Sequence, residues 1–402
     1  MNQNLLLTLN PGSSTIKLGL FAEAHESPRR IGNGMIDLRQ TPLMLHISEG
    51  GEYFDIALRS ELQEDLHDLI RETVDVLVKH FASDHFIGAG HRVVHGGDRF
   101  AGPTLIDDDV LAGIASLSHL APLHQPRAVR LIEAFRKIWP DLPQIASFDT
   151  AFHRSQSPIE RRLPIPRNLY DEGIKRYGFH GLSYKFIAGA LAREAPEIAK
   201  KRVVVAHLGS GASLCALDGG ISQSCSMGFS TLDGIPMATR SGALDPGVLL
   251  YLLQAKQMSV PDLEDFLYHR CGLIGLSGIS ADARVLSEST DAAAVEAMAY
   301  FAGAIAREVA AKATSLGGLD GIVFTAGIGE HQPALRAAVC KSLGWVGVSI
   351  DDQANAANAR RIHAPDSRVS VFVLPTDEEA VIASEASEIL RERAMQPRQG
   401  NA

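Results

Sequence analysis

Three glycine-bearing turns each follow an apolar run: 10–14 (NPGSS), 207–213 (HLGSGAS) and 325–330 (TAGIGE). Glycine lets backbone N–H groups approach a phosphate closely, and a helix after such a turn adds the positive end of its dipole. None of the three ends in the Gly-Lys-Ser/Thr of a Walker A loop, and GIGE lacks the Rossmann spacing. A single turn of this kind reads as readily as a hairpin. Three of them at the ends of apolar runs point to a nucleotide. Lys17, in Ile16-Lys17-Leu18, reads equally as part of a solvated strand face or as a phosphate contact.

Polar residues also crowd into apolar context elsewhere. Arg92 lies in Gly90-His91-Arg92-Val93-Val94-His95-Gly96-Gly97, inside a run that reads as a buried strand. A buried guanidinium needs an anion, either an internal carboxylate or a ligand, and the Gly-Gly ending favours the ligand. His124 precedes Gln125-Pro126 at a helix start, where a cap-region role competes equally with a catalytic one. Asp149 ends the run Gln144–Phe148, the position where open α/β sheets bind ligands. His180 sits in the glycine-bracketed Gly178-Phe179-His180-Gly181, and Arg240 among small residues in Ala238-Thr239-Arg240-Ser241-Gly242. Thr376-Asp377-Glu378-Glu379 puts carboxylates where a last strand meets a helix, and a favourable helix dipole accounts for them without a ligand. Neither GxSxG nor HExxH occurs. Glycine turns, lone arginines, a histidine and carboxylates able to hold Mg2+ suit phosphoryl transfer, which asks for positioning and charge neutralisation more than for covalent help.

A large scaffold must bring these residues together. The chain has 402 residues, 46% apolar and 21% charged, the composition of two or three globular domains. Its formal net charge of −9 makes it a poor general binder of nucleic acid or anionic membrane. A polyanionic ligand must therefore meet locally concentrated Arg, Lys and N–H groups. Cys215, Cys225, Cys271 and Cys340 are widely spaced with no CxxC, which argues against zinc ribbons and disulfide scaffolds and fits buried thiols in a reducing compartment. The apolar run 5–9 is short and lacks the basic flank of a signal peptide, and no run approaches a membrane span. The expected location is the cytoplasm, with no nucleic-acid or membrane partner.

Strands are expected at 5–9, 15–21, 34–38, 43–47 and 53–58, then a helix over 61–81 carried by Leu62, Leu66, Leu69, Ile70 and Leu77. A strand at 87–95, helices near 108–119 and 126–138, and the strand Gln144–Phe148 complete the first half. Residues 155–178 carry no clear period and read as a crossing, after which Ser183 reads as the cap of a helix to Glu194. The second half reads as strands Arg202–Leu208 and 213–217, helices near 246–257, 261–270 and 291–316, strand Gly321–Thr325, a helix from Pro333, strand 369–374 and a helix over 377–393. Residues 7–14 and 204–211 both read as strand, Gly-Ser turn, strand, at an offset of 197 residues. Because each copy heads one half, a duplicated α/β domain is as good a reading of this weak echo as chance.

With NPGSSTIK, GHRVVHGG, LAPLH, FDTAFH, RYGFHG, AHLGSGAS, TRSGALDPG, FTAGIGE and PTDEE in this order, the sequence resembles the acetate kinase family from Asn10 to Glu379. The resemblance implies the fold of the acetate and sugar kinase, heat-shock chaperone and actin superfamily: two related α/β domains, with mixed sheets flanked by helices, around a central cleft. It implies an acyl-substrate-side domain of residues 1–150 plus 381–402 and a nucleotide-binding domain of residues 151–380. The implied reaction is ATP + acetate ⇌ ADP + acetyl phosphate by direct in-line transfer, with Mg2+ (Mn2+ able to substitute) and a homodimer.

Carried over by motif, Asn10 and Glu378 would sit at the Mg2+ and Lys17 near the nucleotide phosphates. His207, Leu208, Gly209, Ser210 and Gly211 would hold phosphate, with Asp282, Ala283, Arg284, Gly327, Ile328, Gly329, Glu330 and His331 around the adenosine. Arg92 would bind the carboxylate and acyl phosphate, and Val94, Leu123 and Phe179 would wall a methyl-sized pocket. His180 and Arg240, helped by His124, would stabilise the transferring phosphoryl, and Asp149 would be an acid/base or positioning carboxylate. The acceptor is already an anion at neutral pH, so positioning is the better role for Asp149. Ser210, Gln125 and His331 stand where the family often has Asn, Thr231 where it has Pro, and Tyr184 where it has His. One alternative is a propionate-preferring kinase with the same machinery. Another, from a different class, is a nucleotide-dependent chaperone or polymerising protein, for which Arg92, Arg240 and His180 have no obvious use.

Overall fold

The computed structural model describes residues 4–12, 15–61, 66–81 and 85–395. Ser13 and Ser14 of the first expected turn, and Leu62 of the expected helix, lie outside the described residues. The chain divides into two compact units, Met1–Phe152 with Asp377–Ala402, and His153–Thr376.

In the first unit the strands are β1 (Leu5–Pro11), β2 (Thr15–Ala22), β3 (Arg29–Asp37), β4 (Met44–Glu49), β5 (Glu52–Ala57), β6 (Phe86–Val93), β7 (Thr104–Leu105) and β8 (Gln144–Phe148). They form one mixed sheet in the order β5-β4-β3-β2-β1-β6-β8-β7, parallel only at β1–β6 and β6–β8. Leu5, Leu7 and Leu9 share a core with Leu69, Ile70, Val74 and Leu77 of helix His67–His80 and with Leu131 and Phe135 of helix Gln125–Ile138. Leu6 packs with Ala383 and Ala386 of helix Glu378–Met395. Both faces of β1 are thus covered, which is why it reads as a mostly apolar run, interrupted only by Thr8 before Asn10. A Cβ on Gly90 of β6 would lie 2.5 Å from Ile382 Cγ2. Glycine there allows helix Glu378–Met395 to approach the sheet, and so fixes where Glu378 and Glu379 fall.

The second unit holds β9 (Arg202–Leu208), β10 (Ala212–Asp218), β11 (Ile221–Cys225), β12 (Gly321–Thr325) and β13 (Ser370–Val373), in the order β11-β10-β9-β12-β13. Here β9–β10 and β10–β11 are antiparallel, while β9–β12 and β12–β13 are parallel. The run β3-β2-β1-β6-β8 of the first unit has the same order and the same directions. The offset of 197 residues carries Leu5–Pro11 onto Arg202–Leu208, the central strand of each five. This is the repeat the sequence echo left open.

Several elements differ from expectation. Helix Gly181–Glu194 begins with His180 at its N-cap; Ser183 is buried in the first turn and caps nothing. Helix His67–His80 starts later than 61, and the stretch 155–178 contains a short helix, Arg167–Asp171. The expected turn at 325–330 is helical over Ala326–His331. β11 is unforeseen because its sequence is Ile-Ser-Gln-Ser-Cys; Ser222 and Ser224 are buried through hydrogen bonds, which no hydropathy pattern registers. No described helix is long and apolar enough to cross a membrane.

Candidate functional site

In the first unit, polar side chains gather where the three parallel strands end. Asn10 lies near the end of β1, Arg92 near the end of β6, and Asp149 directly follows β8. The Arg92 guanidinium is side-on to Asp149, with Nη2 donating to Oδ2 at 2.7 Å and Nε donating at 3.1 Å. Its Nη1 donates to Asn10 Oδ1 at 3.0 Å and lies 3.4 Å from Glu378 Oε2. Asn10 Nδ2 donates to Glu378 Oε2 at 3.0 Å and to Glu379 Oε1 at 2.8 Å. Burial opposes the charge on Arg92, but Asp149, Glu378 and Glu379 outweigh it and hold the guanidinium charged. The expectation that Arg92 awaits a ligand is corrected in part: an internal carboxylate already accompanies it. Lys17 is exposed and stands opposite Asn10 in the β1–β2 register, on the same face of the sheet.

The segment after β6 is pinned as well. Buried Gln125 accepts from His95 N at 3.1 Å and donates to His95 O at 2.9 Å, so the departure at this position has a holding role. Burial pushes the His95 imidazole down to about 4. Val94 is buried and Leu123 exposed. His124 occupies the N-cap of helix Gln125–Ile138 without a side-chain capping bond.

In the second unit a corresponding set lies at the end of β9 and the turn to β10. His180 adopts φ 56° and ψ 27°, a left-handed conformation uncommon outside glycine. Its Nδ1 is 2.8 Å from Ser213 Oγ, and its ring stacks on that of His207 at a centroid distance of 4.2 Å. His207 Nδ1 meets Ser183 Oγ at 2.8 Å, and Ser183 Oγ meets Thr376 Oγ1 at 2.9 Å. A Cβ on Gly211 would lie 3.4 Å from His180 Nε2 and 3.7 Å from both Nη atoms of Arg240. Two donor groups therefore converge on the bare Cα of Gly211.

Arg240 Nη1 donates to Thr231 O at 3.2 Å. The backbone of 237–240 is clamped by N–H groups of Cys271, Leu273 and Ile274. Gly209 N bonds Gly211 O and Ser210 O accepts from Ala238 N, with Leu208 buried beneath. Phe179 is buried in this unit.

Asp282 caps helix Ala283–Glu288 by accepting from Arg284 N at 2.8 Å; Asp282 and Arg284 are exposed and Ala283 is buried. Gly327, Ile328, Gly329, Glu330 and His331 lie within helix Ala326–His331, with Gly327 and His331 exposed. Thr376 N donates to Glu330 Oε1 at 3.4 Å.

Four contributors were given no role of their own from the sequence, although Glu379, Ser213 and Tyr184 lie in segments noted there. Glu379 shares Asn10 with Glu378. Ser213 and Tyr184 support His180. Fully buried Arg336 donates to Gly329 O and Glu330 O at 2.9 Å each, closing the carboxyl end of helix Ala326–His331. A lone arginine in the apolar Pro-Ala-Leu-Arg-Ala-Ala-Val-Cys run was the available signal for Arg336.

Among the described residues, no group of three or more His, Cys, Asp or Glu side chains is placed to hold a metal. The set Asn10, Glu378 and Glu379 offers hard oxygen donors. Mg2+ takes one or two protein carboxylates and completes its shell with waters and phosphate oxygens, so this set fits it. Asn10 Oδ1 accepts one bond from Arg92 and keeps a second lone pair.

The acetokinase family model matches residues 5–384. An acetate kinase of Rhodopseudomonas palustris is 46% identical over 388 residues, covering 94% of this chain and 97% of its own. Among solved structures, a propionate kinase from Francisella tularensis subsp. tularensis SCHU S4 has a TM-score of 0.89 at 32% identity, over 96% of this chain and 99% of that one. Porphyromonas gingivalis acetate kinase has a TM-score of 0.85 at 30% identity, over 96% and 100%. These likenesses span both sheets and every motif described above, and they set aside the chaperone alternative: the chain belongs to the acetokinase family.

Proposed function

We propose that this chain transfers the γ-phosphoryl group of ATP to acetate, reversibly and in line, giving acetyl phosphate and ADP. Within the family, the observation that carries the reading is the convergence of His180 Nε2 and the Arg240 guanidinium on Gly211. A transferring phosphoryl spreads negative charge over its oxygens, and fixed donors aimed at one point stabilise it without reorganising. Arg92 is the group we assign to the acceptor carboxylate, which would compete for the hydrogen bonds now given to Asp149 and Asn10. Asp149 then orients Arg92; it has no proton to remove from a carboxylate.

Val94, Leu123 and Phe179 are assigned to the acyl methyl group, and His124 to the transferring phosphoryl. Lys17 and the 207–211 turn are assigned to nucleotide phosphates, and residues 282–284 and 327–331 to the adenosine. Asn10 and Glu378 would hold Mg2+, which when bound neutralises charge on the phosphate oxygens. Trapping acyl phosphate as its hydroxamate tests the activity: product should require ATP, Mg2+ and acetate together. Silence with every short carboxylate overturns the proposal.

Propionate as preferred acceptor is the second reading, favoured by the likeness to the Francisella propionate kinase. We also propose a cytoplasmic homodimer without nucleic-acid or membrane partners. The apolar helix Pro246–Gln254 has no buried residue, and Leu250 and Tyr251 on it are 55% and 56% exposed. A second copy is the occupant we assign to that surface, and Leu250→Glu should yield monomer by light scattering.

A further inference from the structure

We infer that Tyr184 and Ser213 hold the neutral imidazole of His180 as its Nε2–H tautomer, so that Nε2 is presented as a hydrogen-bond donor. Tyr184 is fully buried in helix Gly181–Glu194, one turn beyond His180. Its hydroxyl lies 2.5 Å from Ser213 Oγ, which in turn lies 2.8 Å from His180 Nδ1. Among the described residues, Ser213 Oγ is the one hydrogen-bond partner of the Tyr184 hydroxyl, and a buried O–H without an acceptor is costly.

The direction of the relay follows from counting protons. Tyr184 must donate to Ser213 Oγ. The Ser213 hydroxyl proton then needs an acceptor, and the remaining contact is His180 Nδ1. If Nδ1 carried a proton, three donors would share two contacts and one buried donor would be orphaned. Nδ1 is therefore the acceptor and the ring proton resides on Nε2. Burial, the dominant influence on Tyr184, raises its pKa and keeps the phenol a donor. The left-handed backbone at His180 and the stacked His207 ring hold the imidazole plane.

The inference rests, for its functional meaning, on the reading of His180 as a phosphoryl contact. An Nε2–H donor beside Gly211 suits an anionic oxygen, whereas the opposite tautomer would turn a lone pair toward it. Tyr184 and Ser213 are thus positioning residues that act through His180. This gives the departure at Tyr184 a specific chemical use.

The test is long-range 1H–15N correlation of protein labelled with 15N-histidine, at mildly alkaline pH, with His180 assigned by the signal lost in His180→Asn. The expected pattern is a pyridine-type Nδ1 and a pyrrole-type Nε2; the reverse pattern overturns the inference. Ser213→Asp offers only acceptors to Tyr184 and Nδ1, and should exchange the two signals, while Ser213→Thr should keep them. Should Ser213→Asp fail to fold, Ser213→Ala serves. Its kcat should fall on the order of 10- to 100-fold, the range known for partners that orient metal-ligating histidines, with little change in KM and with Ser213→Thr near wild type. An unchanged kcat in a folded Ser213→Ala overturns the positioning role. The expected NMR pattern together with full activity in His180→Asn would instead sink the phosphoryl reading and leave the tautomer assignment standing.

Discussion

Gly211→Ala isolates the space in front of the two converging donors. The added methyl carbon would lie 3.4 Å from His180 Nε2 and 3.7 Å from each Nη of Arg240, all ordinary van der Waals separations. Gly211 is not among the residues with positive φ, so alanine fits the backbone. Replacing glycine at such a position commonly stabilises by about 0.4–1 kcal/mol through the unfolded chain. The fold should therefore survive, with a melting temperature unchanged or slightly raised.

Catalysis should not survive intact. A phosphoryl oxygen must come within about 2.7–3.1 Å of its donors, and the methyl occupies the volume through which it would approach both. Losing one such donor costs on the order of 10²–10³ in kcat, roughly 2.7–4 kcal/mol, and here both are obstructed. Initial rates of acetyl hydroxamate formation, with a thermal melt in parallel, measure the two quantities. A folded Gly211→Ala enzyme with near-normal kcat refutes the placement of the phosphoryl group beside this turn. A collapse in melting temperature refutes the steric account itself.

The other expectations bear on metal, acid stability and acyl selectivity. Glu378→Ala should sharply raise the Mg2+ needed for activity while leaving the melt nearly unchanged, because Glu379 still holds Asn10 and Asp149 still holds Arg92; a large melting loss at unchanged Mg2+ dependence speaks against the metal role. Burial, the largest influence on His153, pushes its pKa from 6.5 down to about 4. The native state then binds fewer protons than the unfolded chain, and about 3 kcal/mol of stability, complete above pH 6.5, should drain away as pH falls toward 4. A denaturant midpoint flat across that window would contradict the burial of a neutral His153. Acetate should lead propionate in kcat/KM, with butyrate poor, since one methylene changes discrimination by about 10–200-fold. Val94→Ala should narrow the acetate-to-propionate ratio, and an unchanged ratio would remove Val94 from the pocket.

Strands buried on both faces were legible because apolar residues dominate them: β8, β9 and β12 fall at the expected residues, and β1 extends two residues further, over Asn10 and Pro11. β11 was not, since its buried serines are satisfied by His153 and Lys312, partners far away in sequence. The site divides in the same way. Arg92 and Asp149 stood out as single charges at the ends of apolar runs, but their pairing did not, because 57 residues separate them. Only the parallel register of β6 and β8, which sets Val93 beside Phe148, brings the two side chains together. Ser213 and Tyr184 are ordinary residue types in ordinary elements. Their chemistry begins when β10 and helix Gly181–Glu194 face each other, a relation no local pattern encodes.

The repeated strand order explains why the weak echo nevertheless marked both clusters. In the β1 copy, Asn10 stands one residue from the strand end and pairs across to Lys17; in the β9 copy, His207 holds the equivalent place and pairs across to Ser213. The backbone frame is shared, yet the side chains have separate work. Asn10 is tied to two carboxylates and a guanidinium, a hard-oxygen setting suited to a hydrated cation. His207 stacks on His180 and leaves Ser213 to continue toward Tyr184, the setting we assign to an anion. A duplicated sheet thus supplies two strand ends of the same geometry, and amide or imidazole at one register position distinguishes the polar settings built around them.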